Sequence, residues 1–198
     1  RGGAGSRFSA FAGNSGLTSL YAQDTWRWSE RWTSTLGLRY ERWQASDGLL
    51  ANASSQLAFA DRQDTAYSPK AALAYALTPD WTVRGSIGRA VRFPTVSELY
   101  QGTISTNVIV NNDPNLKPER STTSELSLLK TVASGNWRAT VFHERTHDAL
   151  YSQINVTVTP NVTSIQNVDA IHTTGIELAA NWFDAGLEGL DISGSVTF

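Results

Sequence analysis

Strict alternation of apolar and polar residues is the feature that most constrains the fold of this chain. The segment 32–43 sets apolar residues on one side and polar residues on the other, namely Trp32, Leu36, Leu38 and Tyr40 against Thr33, Thr35, Arg39 and Glu41. A period of two residues is typical of a β-strand whose two faces meet different surroundings. About a dozen residues is also the length of a strand that crosses a membrane at a tilt.

The same pattern recurs along the chain and predicts about eight strands. We expect them near 17–28, 32–43, 66–77, 81–92, 121–132, 137–155, 164–183 and 190–198. Tight turns at 29–31, 78–80, 133–136 and 184–189 alternate with long connections at 45–65 and 88–121. The prediction is therefore an all-β fold over 1–198 as a single domain, an antiparallel up-and-down barrel segment, with helix confined to 95–100.

One face of the predicted strands is apolar enough to meet lipid. The residues expected there are Leu36, Leu38, Leu73, Ile87, Ile176, Leu178, Ile192 and Val196. Most tryptophans flank the tight turns, whereas Tyr40, Trp43, Tyr67 and Tyr151 lie towards the long connections. Aromatic residues could instead be strand formers in a soluble core. Their clustering at two heights favours the two interfaces of a membrane.

Composition restricts the alternatives. The 198 residues include no cysteine, and the net charge is −2, which excludes a disulfide scaffold and argues against nucleic-acid binding. No apolar run approaches the length of a membrane helix, and we expect the first residues to be the remnant of a loop and not a signal peptide. A repeat of roughly 50 residues between tryptophans suggests a kelch-type propeller, but each period holds two long strands instead of four short ones.

The long connection 88–121 carries charged residues at both of its ends. Arg89 and Arg92 open it, Pro94 and Pro118 restrict its two ends, and Thr95 or Ser97 is expected to cap a short turn. The uncharged middle, 101–110, is expected to be soft. A connection clamped at its ends is suited to act as a lid over a barrel mouth.

Three motifs in this connection are characteristic of a family. They read Arg89-Ala90-Val91-Arg92-Phe93-Pro94-Thr95, Glu98-Leu99-Tyr100 and Asp113-Pro114-Asn115-Leu116-Lys117-Pro118-Glu119. Together they resemble the TonB-dependent receptors of Gram-negative outer membranes, which differ in the order of the residues around Phe93 and carry Asn in place of Asp113. Weaker echoes at 20–24, 166–168 and 175–178 extend the resemblance over nearly the whole chain.

The resemblance implies the carboxy-proximal wall of a bacterial outer-membrane barrel of about 22 strands. In such receptors an amino-terminal plug fills the barrel, and we expect this chain to be a fragment without the plug or the TonB-contacting segment. The implied function is active import of a scarce solute such as an iron–siderophore complex, energised through TonB, with no cofactor. The implied partners are outer-membrane lipid, TonB, the plug and a small solute such as a metal chelate.

The resemblance also suggests which residues meet the solute or the plug. In the connection these are Arg89, Arg92, Glu98, Lys117 and Arg120. On the polar faces of the strands they are Arg39, Glu41, Lys70, Arg84, Arg92, Glu125 and Glu177, each of which could equally belong to a solvated polar wall. A passive porin and a complete small barrel are the alternatives within the membrane class, although both termini of a complete barrel would then lie outside the cell.

One motif suggests an enzyme. His143-Glu144-Arg145-Thr146-His147 matches the H-E-x-x-H pattern of zinc hydrolases, which requires a helix so that both imidazoles grip one ion. In a strand the two histidines would lie about 13 Å apart. The segment is rich in strand formers, and neither His172 nor Glu177 is fixed as a third ligand. We therefore predict that the chain is not an enzyme and that the motif holds no metal.

Overall fold

A computed structural model describes residues 9–52, 56–104, 108–159 and 161–198. Its elements are β1 (Ser9–Arg27), β2 (Trp32–Asn52), β3 (Gln56–Ala58), β4 (Arg62–Ala76), β5 (Trp81–Arg92), α1 (Val96–Tyr100), β6 (Gly102–Ile104), β7 (Val108–Asn111), β8 (Glu119–Val132), β9 (Gly135–Asn155), β10 (Asn161–Trp182) and β11 (Ile192–Thr197). The predicted all-β class is confirmed, and the described helix is limited to α1. No helix in the described ranges is long and apolar enough to span a membrane.

The strands form one sheet in which long neighbours in sequence pair antiparallel. The order is β1-β2-β4-β5-β8-β9-β10-β7-β6, with β11 also paired to β10 and β3 to β2. Among the described strands β1 pairs only with β2, so the sheet is open. A single continuous sheet also excludes the propeller, whose strands would separate into blades.

Particular residues stabilise the tight turns. The Ser29 hydroxyl accepts hydrogen bonds from the backbone N–H groups of Arg31 and Trp32, both at 3.2 Å. Between β8 and β9, Gly135 has φ = +151°, and a Cβ there would lie 2.2 Å from the Asn181 carbonyl oxygen. Only glycine fits this close approach of two backbones.

Several strands are longer than the alternation predicts. β1 begins at Ser9 and not near residue 17, and β2 continues to Asn52, so the predicted exposed loop at 45–65 is wrong in its extent. The alternation is lost there because β1 shifts register between Ala12 and Asn14 and Asp47 adopts φ = 54°. A register shift of this kind reverses the face on which the following side chains lie.

The middle of the long connection also differs from the prediction. Residues 101–110 were expected to be soft, and of these 105–107 lie outside the described residues. On either side of them β6 and β7 pair with each other, and β7 runs parallel to the start of β10, with Val108 opposite Asn161. This is the one departure from antiparallel pairing among the described strands. The β-branched residues of this stretch suit such a strand.

Register divides the sheet into two chemically different faces. On the apolar face, a row runs across five strands through Leu73, Gly85, Leu126, Val141 and Ile176. The apolar side chains of this row are exposed, with 59% of Leu126 and 52% of Val141 accessible. We call the opposite side the polar face.

The polar face carries a matching row one residue away. It runs through Ala74, Arg84, Ser127, Thr140 and Glu177. Side-chain hydrogen bonds cross between neighbouring strands on this face, as between the Ser127 and Thr140 hydroxyls at 2.9 Å. Polar side chains on this face therefore pair with one another across neighbouring strands, whereas the apolar side chains of the other face are exposed.

Aromatic residues gather at the short-turn end of the apolar face. The Trp32 and Tyr75 rings lie 4.5 Å apart, and the Lys130 ammonium lies over the rings of Trp81 and Trp137. At the long-loop end Tyr40 and Tyr67 pair at 5.3 Å. Trp43 also lies at this end, as expected, but it belongs to the opposite parity of β2 and is buried on the polar face.

The hydrophobic core lies at the long-loop end of the polar face. Its buried members are Trp43, Ala45, Ala66, Phe93, Leu99, Tyr100 and Leu116. They come from β2, β4, α1, the segment just before α1 and the segment just before β8, so the core joins the connection 93–118 to the sheet. The remainder of the sheet has no second layer among the described residues.

Candidate functional site

The connection between β5 and β8 packs against the polar face. Charged residues form ion pairs where it leaves β5 and where it enters β8. An Arg92 Nη1 atom lies 2.9 Å from Glu98 Oε1, and Arg92 Nε lies 3.5 Å from Glu119 Oε1. Glu119 Oε2 also accepts the Leu150 backbone N–H at 2.9 Å. Arg92 therefore ties the end of β5 to α1 and to the start of β8.

Helix α1 begins with a reciprocal cap. The Thr95 hydroxyl accepts the Glu98 N–H at 3.3 Å, and Glu98 Oε2 accepts the Thr95 N–H at 2.8 Å. Such a capping box satisfies two backbone donors that a helix start leaves free. Burial alone would raise the pKa of Glu98, but the Thr95 N–H and the Arg92 guanidinium outweigh it and lower the pKa.

Tyr100 anchors the far end of α1 in the sheet. Its ring is buried, stacks on Phe59 with centroids 5.1 Å apart, and lies against Gly13 of β1 and Gly48 of β2. A Cβ on Gly48 would be 2.6 Å from ring carbons, and one on Gly13 would be 2.8 Å away. These two glycines leave the space that the ring fills. Burial raises the pKa of the Tyr100 phenol, although Arg62 opposes the shift.

A second contact joins Phe93 to the wall. Its ring stacks on Trp43 with centroids 5.6 Å apart and planes 7° from parallel. The Arg62 guanidinium lies over the Trp43 ring at 5.7 Å and donates to the carbonyls of Pro114 at 2.5 Å and Leu116 at 2.9 Å. Arg62 thus holds the far end of the connection to the same aromatic pair.

Asn167 of β10 fixes the exit of the connection. Its Oδ1 accepts the Lys117 N–H at 2.8 Å, and its Nδ2 donates to the Lys117 carbonyl at 3.0 Å and to the Asp148 carbonyl at 2.7 Å. The side-chain amide therefore pairs with the backbone of Lys117 in the way a neighbouring strand would. Leu116, the preceding residue, is buried in the core.

The five charged residues predicted to meet a solute or plug do not converge on one point. Arg92 and Glu98 form the ion pair at the base of the connection. Lys117 and Arg120 both approach Asp148, at 3.8 and 3.6 Å. The fifth, Arg89, borders a cavity of about 360 Å³ that Arg39, Glu41, Ser68 and Lys70 also line.

The other residues of the family motifs serve as framework. Ala90 and Arg92 lie opposite Ser121 and Glu119 in the β5–β8 ladder. Pro94, Leu99, Tyr100, Leu116 and Pro118 are buried, whereas the Asn115 N–H is accepted by the Asp113 carboxylate at 2.8 Å. Thr95 and Glu98 form the capping box. The motifs therefore encode how the connection packs.

Three contributors were missed from the sequence. Trp43 was expected only at the level of the long connections, with no contact to them, and Arg62 carried no signal because it stands inside a predicted loop. Asn167 belongs to one of the weak echoes, so its position in the motif was visible but its role was not. Each acts on a segment about 50 residues away, a distance that local patterning does not report.

The polar face also carries two cavities further from the connection. One, of about 430 Å³, is lined by Gln23, Thr35, Lys70, Arg84, Ser86 and Glu125, among others. A smaller one, of about 200 Å³, lies beside the Arg138–Glu177 ion pair, whose charged atoms are 2.6 Å apart. Within the described part of the chain, Lys70 and Arg84 have no carboxylate within ion-pair distance.

The H-E-x-x-H segment lies in strand β9, as its composition predicts. His143 is on the apolar face, where its Nδ1 lies 2.9 Å from the Thr174 hydroxyl, while Glu144 accepts from Thr123 on the other face. His143 and His147 are therefore separated along a strand and cannot share an ion. No cluster of three metal-ligating side chains occurs among the described residues.

Comparison with known proteins identifies a family that matches this chain. Residues 2–198 match the family model described as "TonB dependent receptor-like, beta-barrel". An iron-regulated outer membrane virulence protein of Vibrio cholerae is 33% identical over 87 residues, which make up 42% of this chain and 13% of that protein.

Solved structures share the fold at low sequence identity. The hemophore receptor HasR of Serratia marcescens superposes with a TM-score of 0.75 at 18% identity, over 94% of this chain and 34% of that one. The copper transporter OprC gives 0.68 at 20% identity, with coverages of 92% and 28%. The ferric yersiniabactin receptor FyuA of Yersinia pestis gives 0.63 at 20%, with coverages of 96% and 28%. The chain thus spans about a third or less of the length of each of these proteins.

Proposed function

We propose a transport function for this chain, which belongs to the TonB-dependent receptor-like β-barrel family. Its strands form part of the wall of a barrel in the bacterial outer membrane. In this proposal the complete protein imports a scarce solute, and the energy comes from TonB. The observation that carries the proposal is the division of one sheet into an exposed apolar face and a polar face that is packed, at one end, by the connection with the family motifs.

The apolar face is proposed to meet lipid. The residues concerned are Leu36, Leu38, Leu73, Ile87, Ile176, Leu178, Ile192 and Val196. About half of the surface of each is exposed. Each residue alternates along its strand with residues of the polar face. So much exposed apolar surface on one side is what a lipid-facing wall requires and what a water-facing wall avoids.

The polar face is proposed to face the barrel interior, where a plug or a solute would meet it. Lys70 and Arg84 are the strongest candidates on the strands, because both line the larger cavity and neither has a described ion-pair partner. Arg39 and Arg138 are already neutralised by Glu41 and Glu177. An unpaired interior cation favours an anionic partner.

We still propose that the connection contacts a solute or the plug. Its charged residues differ in whether they already have a partner inside the chain. Arg89 is exposed, has no ion-pair partner in the described ranges and is available to a solute or the plug. Lys117 is also exposed, but its ammonium approaches Asp148 at 3.8 Å. Arg92, Glu98 and Arg120 are engaged with partners inside the chain. Replacing Arg92 would therefore act on solute binding through the packing of the connection.

The proposed solute is a metal chelate. The names of the related proteins refer to heme with a hemophore, copper, ferric yersiniabactin and iron regulation. Metal chelates of this kind are commonly anionic, which agrees with free cations on the polar face. In the described part of this chain no metal-ligating cluster competes for the ion itself, so recognition of a whole chelate is the simpler scheme.

Uptake assays test the proposal. Cells that express the full-length protein should accumulate a labelled ferric chelate, and loss of TonB should abolish accumulation. Replacing Lys70 and Arg84 together by Gln should reduce the affinity for an anionic chelate, whereas Lys130→Gln on the apolar face serves as a matched control. Accumulation that continues at the same rate without TonB would identify a passive pore instead.

A further inference from the structure

Strand β9 extends beyond its neighbour β8 at the long-loop end of the sheet. The β8–β9 ladder ends where Arg120 lies opposite His147, whereas β9 continues to Asn155. On its other side β9 stays paired with β10 as far as Asn155, which lies opposite Val162. The side of β9 that faces away from β10 over residues 149–155 therefore has no paired strand in the described ranges. We call this side the free edge.

Backbone groups at alternate positions of the free edge point outward. In an antiparallel ladder each residue directs its N–H and its C=O to the same side, and successive residues alternate in direction. The Leu150 N–H donates to Glu119 Oε2 at 2.9 Å, on the side away from β10. The backbone groups of Ser152 and Ile154 therefore point to that side as well, where no described residue pairs with them.

The opposite side of the same hairpin is covered by the connection. Strand β7 runs parallel to the start of β10 and pairs with residues 161–163. Ile165, which lies opposite Ser152, directs its N–H away from β9 and donates to Asn112 Oδ1 at 3.4 Å. The connection thus supplies partners to one edge of the hairpin, whereas the free edge beyond Leu150 has none among the described residues.

The free edge lacks the features that usually protect an exposed strand. Charged side chains and prolines normally prevent an edge strand from pairing with another chain. No charged residue occurs between residues 149 and 168, and the free edge contains no proline. Every residue from Tyr151 to Asn155 is exposed, including 63% of Ile154. A charged segment would find no opposite charge here, which favours an uncharged partner.

A second copy of this chain does not fit the free edge. Copies in one membrane have the same direction relative to it, and a two-fold axis along the membrane normal places identical residues at the same height. Parallel strands bond with a stagger, so that the bonding groups of the two strands alternate in height. Identical residues at one height would instead bring N–H against N–H. The occupant is therefore a strand other than β9 itself.

We propose that the free edge binds an extended, uncharged segment of an extracellular protein, which adds to the sheet as a strand beside β9. The inference rests on the proposed function, because it requires the long-loop end to face the outside of the cell. The outward groups of Ser152 and Ile154 recur at every second residue, a spacing that a polypeptide backbone matches and a small chelate does not. Backbone hydrogen bonds supply the affinity, and the exposed Tyr151 and Ile154 side chains contact alternate side chains of the added strand.

Hydrogen exchange tests the proposal on the full-length protein in phosphatidylcholine nanodiscs. The probe is a synthetic peptide with the sequence of residues 161–168, acetylated and amidated so that it carries no charge. This sequence already pairs with β9 on its other side, so its side chains suit the pleat of β9. Exchange at the Ser152 and Ile154 amides should be fast in the free protein and about tenfold slower with saturating peptide. The Tyr151 and Gln153 amides, which point to β10, should exchange slowly in both states.

Two comparisons separate strand addition from side-chain contact. Ser152→Pro removes an N–H that points away from β10 and should weaken peptide binding about tenfold, the effect of one backbone hydrogen bond. Ser152→Ala keeps that N–H and should bind the peptide like wild type. Independently of these variants, a peptide N-methylated at the alternate residues that face β9 should not bind, whereas methylation of the other alternate set should leave binding intact.

Slow exchange at Ser152 and Ile154 in the free full-length protein would show that another part of the same protein covers the edge, and it would overturn the proposal. Equal binding of the two methylated peptides, unchanged binding by Ser152→Pro, or no slowing of exchange at millimolar peptide would overturn it as well. None of these results affects chelate import. Absence of TonB-dependent chelate uptake by cells with the wild-type protein would instead contradict the proposed function.

Discussion

The rings of Trp43 and Phe93 stack almost parallel, 5.6 Å apart, and join the second strand of the sheet to the first residues of a connection 50 positions further along the chain. Trp43 would be an ordinary member of an alternating strand if nothing covered the polar face. Its burial shows that the connection is part of the wall at this end. The packing of this connection is the basis of the first four predictions.

Trp43→Ala should release the connection. Removing a buried tryptophan costs about 3–5 kcal/mol, and here it also removes the surface over which the Arg62 guanidinium lies. Limited proteolysis of the full-length protein should show new cleavage between residues 93 and 118. Trp28→Ala is the matched control, since 70% of Trp28 is exposed. Unchanged protection in Trp43→Ala would mean that the stack does not hold the connection.

Gly48→Ala should displace Tyr100 from its site. The added methyl would lie 2.6 Å from ring carbons, well inside contact distance, and the ring is enclosed by Phe59 on another side. The expected result is destabilisation of about 1–3 kcal/mol in chemical unfolding. Gly16→Ala on β1 is the control, because nothing lies within 4 Å of a Cβ there. Combining Gly48→Ala with Tyr100→Ala should cost less than the two changes added together.

Packing of α1 should weaken in acid because of Glu98. Its pKa is lower in the folded protein than in the unfolded chain, so its contribution is present above the ordinary carboxyl range and is lost as pH falls below about 4. In Glu98→Gln this pH-dependent part should be absent. Protease protection of the connection across pH 3–7, relative to an exposed control such as Glu188→Gln, measures the difference. Identical acid profiles in wild type and Glu98→Gln would contradict the assignment.

Asn167→Ala should free the exit of the connection. The substitution removes both hydrogen bonds to the Lys117 backbone and the one to the Asp148 carbonyl. Each unpaired backbone group costs about 1–3 kcal/mol where water is excluded. Hydrogen exchange at the Lys117 amide should accelerate, whereas Gln166→Ala, on the exposed side of the same strand, should leave it slow. Equal exchange rates in the two variants would show that Asn167 does not fix this segment.

The sheet could be predicted from the sequence because each face has one constant environment. Alternation identified the strand pairs from Trp32 to Leu77 and the face on which Leu73, Val196 and their neighbours lie. It failed beyond Trp43, where the connection covers the polar face and residues 44–48 are polar or small on both parities. Near Asp47 a positive φ and a register shift reverse the faces as well.

The site was harder to predict because its contacts are distant in sequence. The motif residues were visible, but their spacing gave no indication that Arg62 would reach the Pro114 carbonyl or that Gly13 would receive the Tyr100 ring. Charged motif residues were expected to meet a ligand, yet Arg92 and Glu98 pair with each other. The charge of a residue alone does not show whether it forms an ion pair within a loop or binds a solute.

Spin-label accessibility tests the central claim, that one face of this sheet lies in lipid and the other lines the barrel. Labels at adjacent positions of one strand, Leu73 and Ala72 of β4 or Leu126 and Glu125 of β8, should report opposite environments in the full-length protein in bilayers. The account predicts that labels at Leu73 and Leu126 collide with oxygen and are shielded from a polar nickel relaxer, while those at Ala72 and Glu125 are not shielded. Equal access of the polar relaxer to both members of each pair would contradict it.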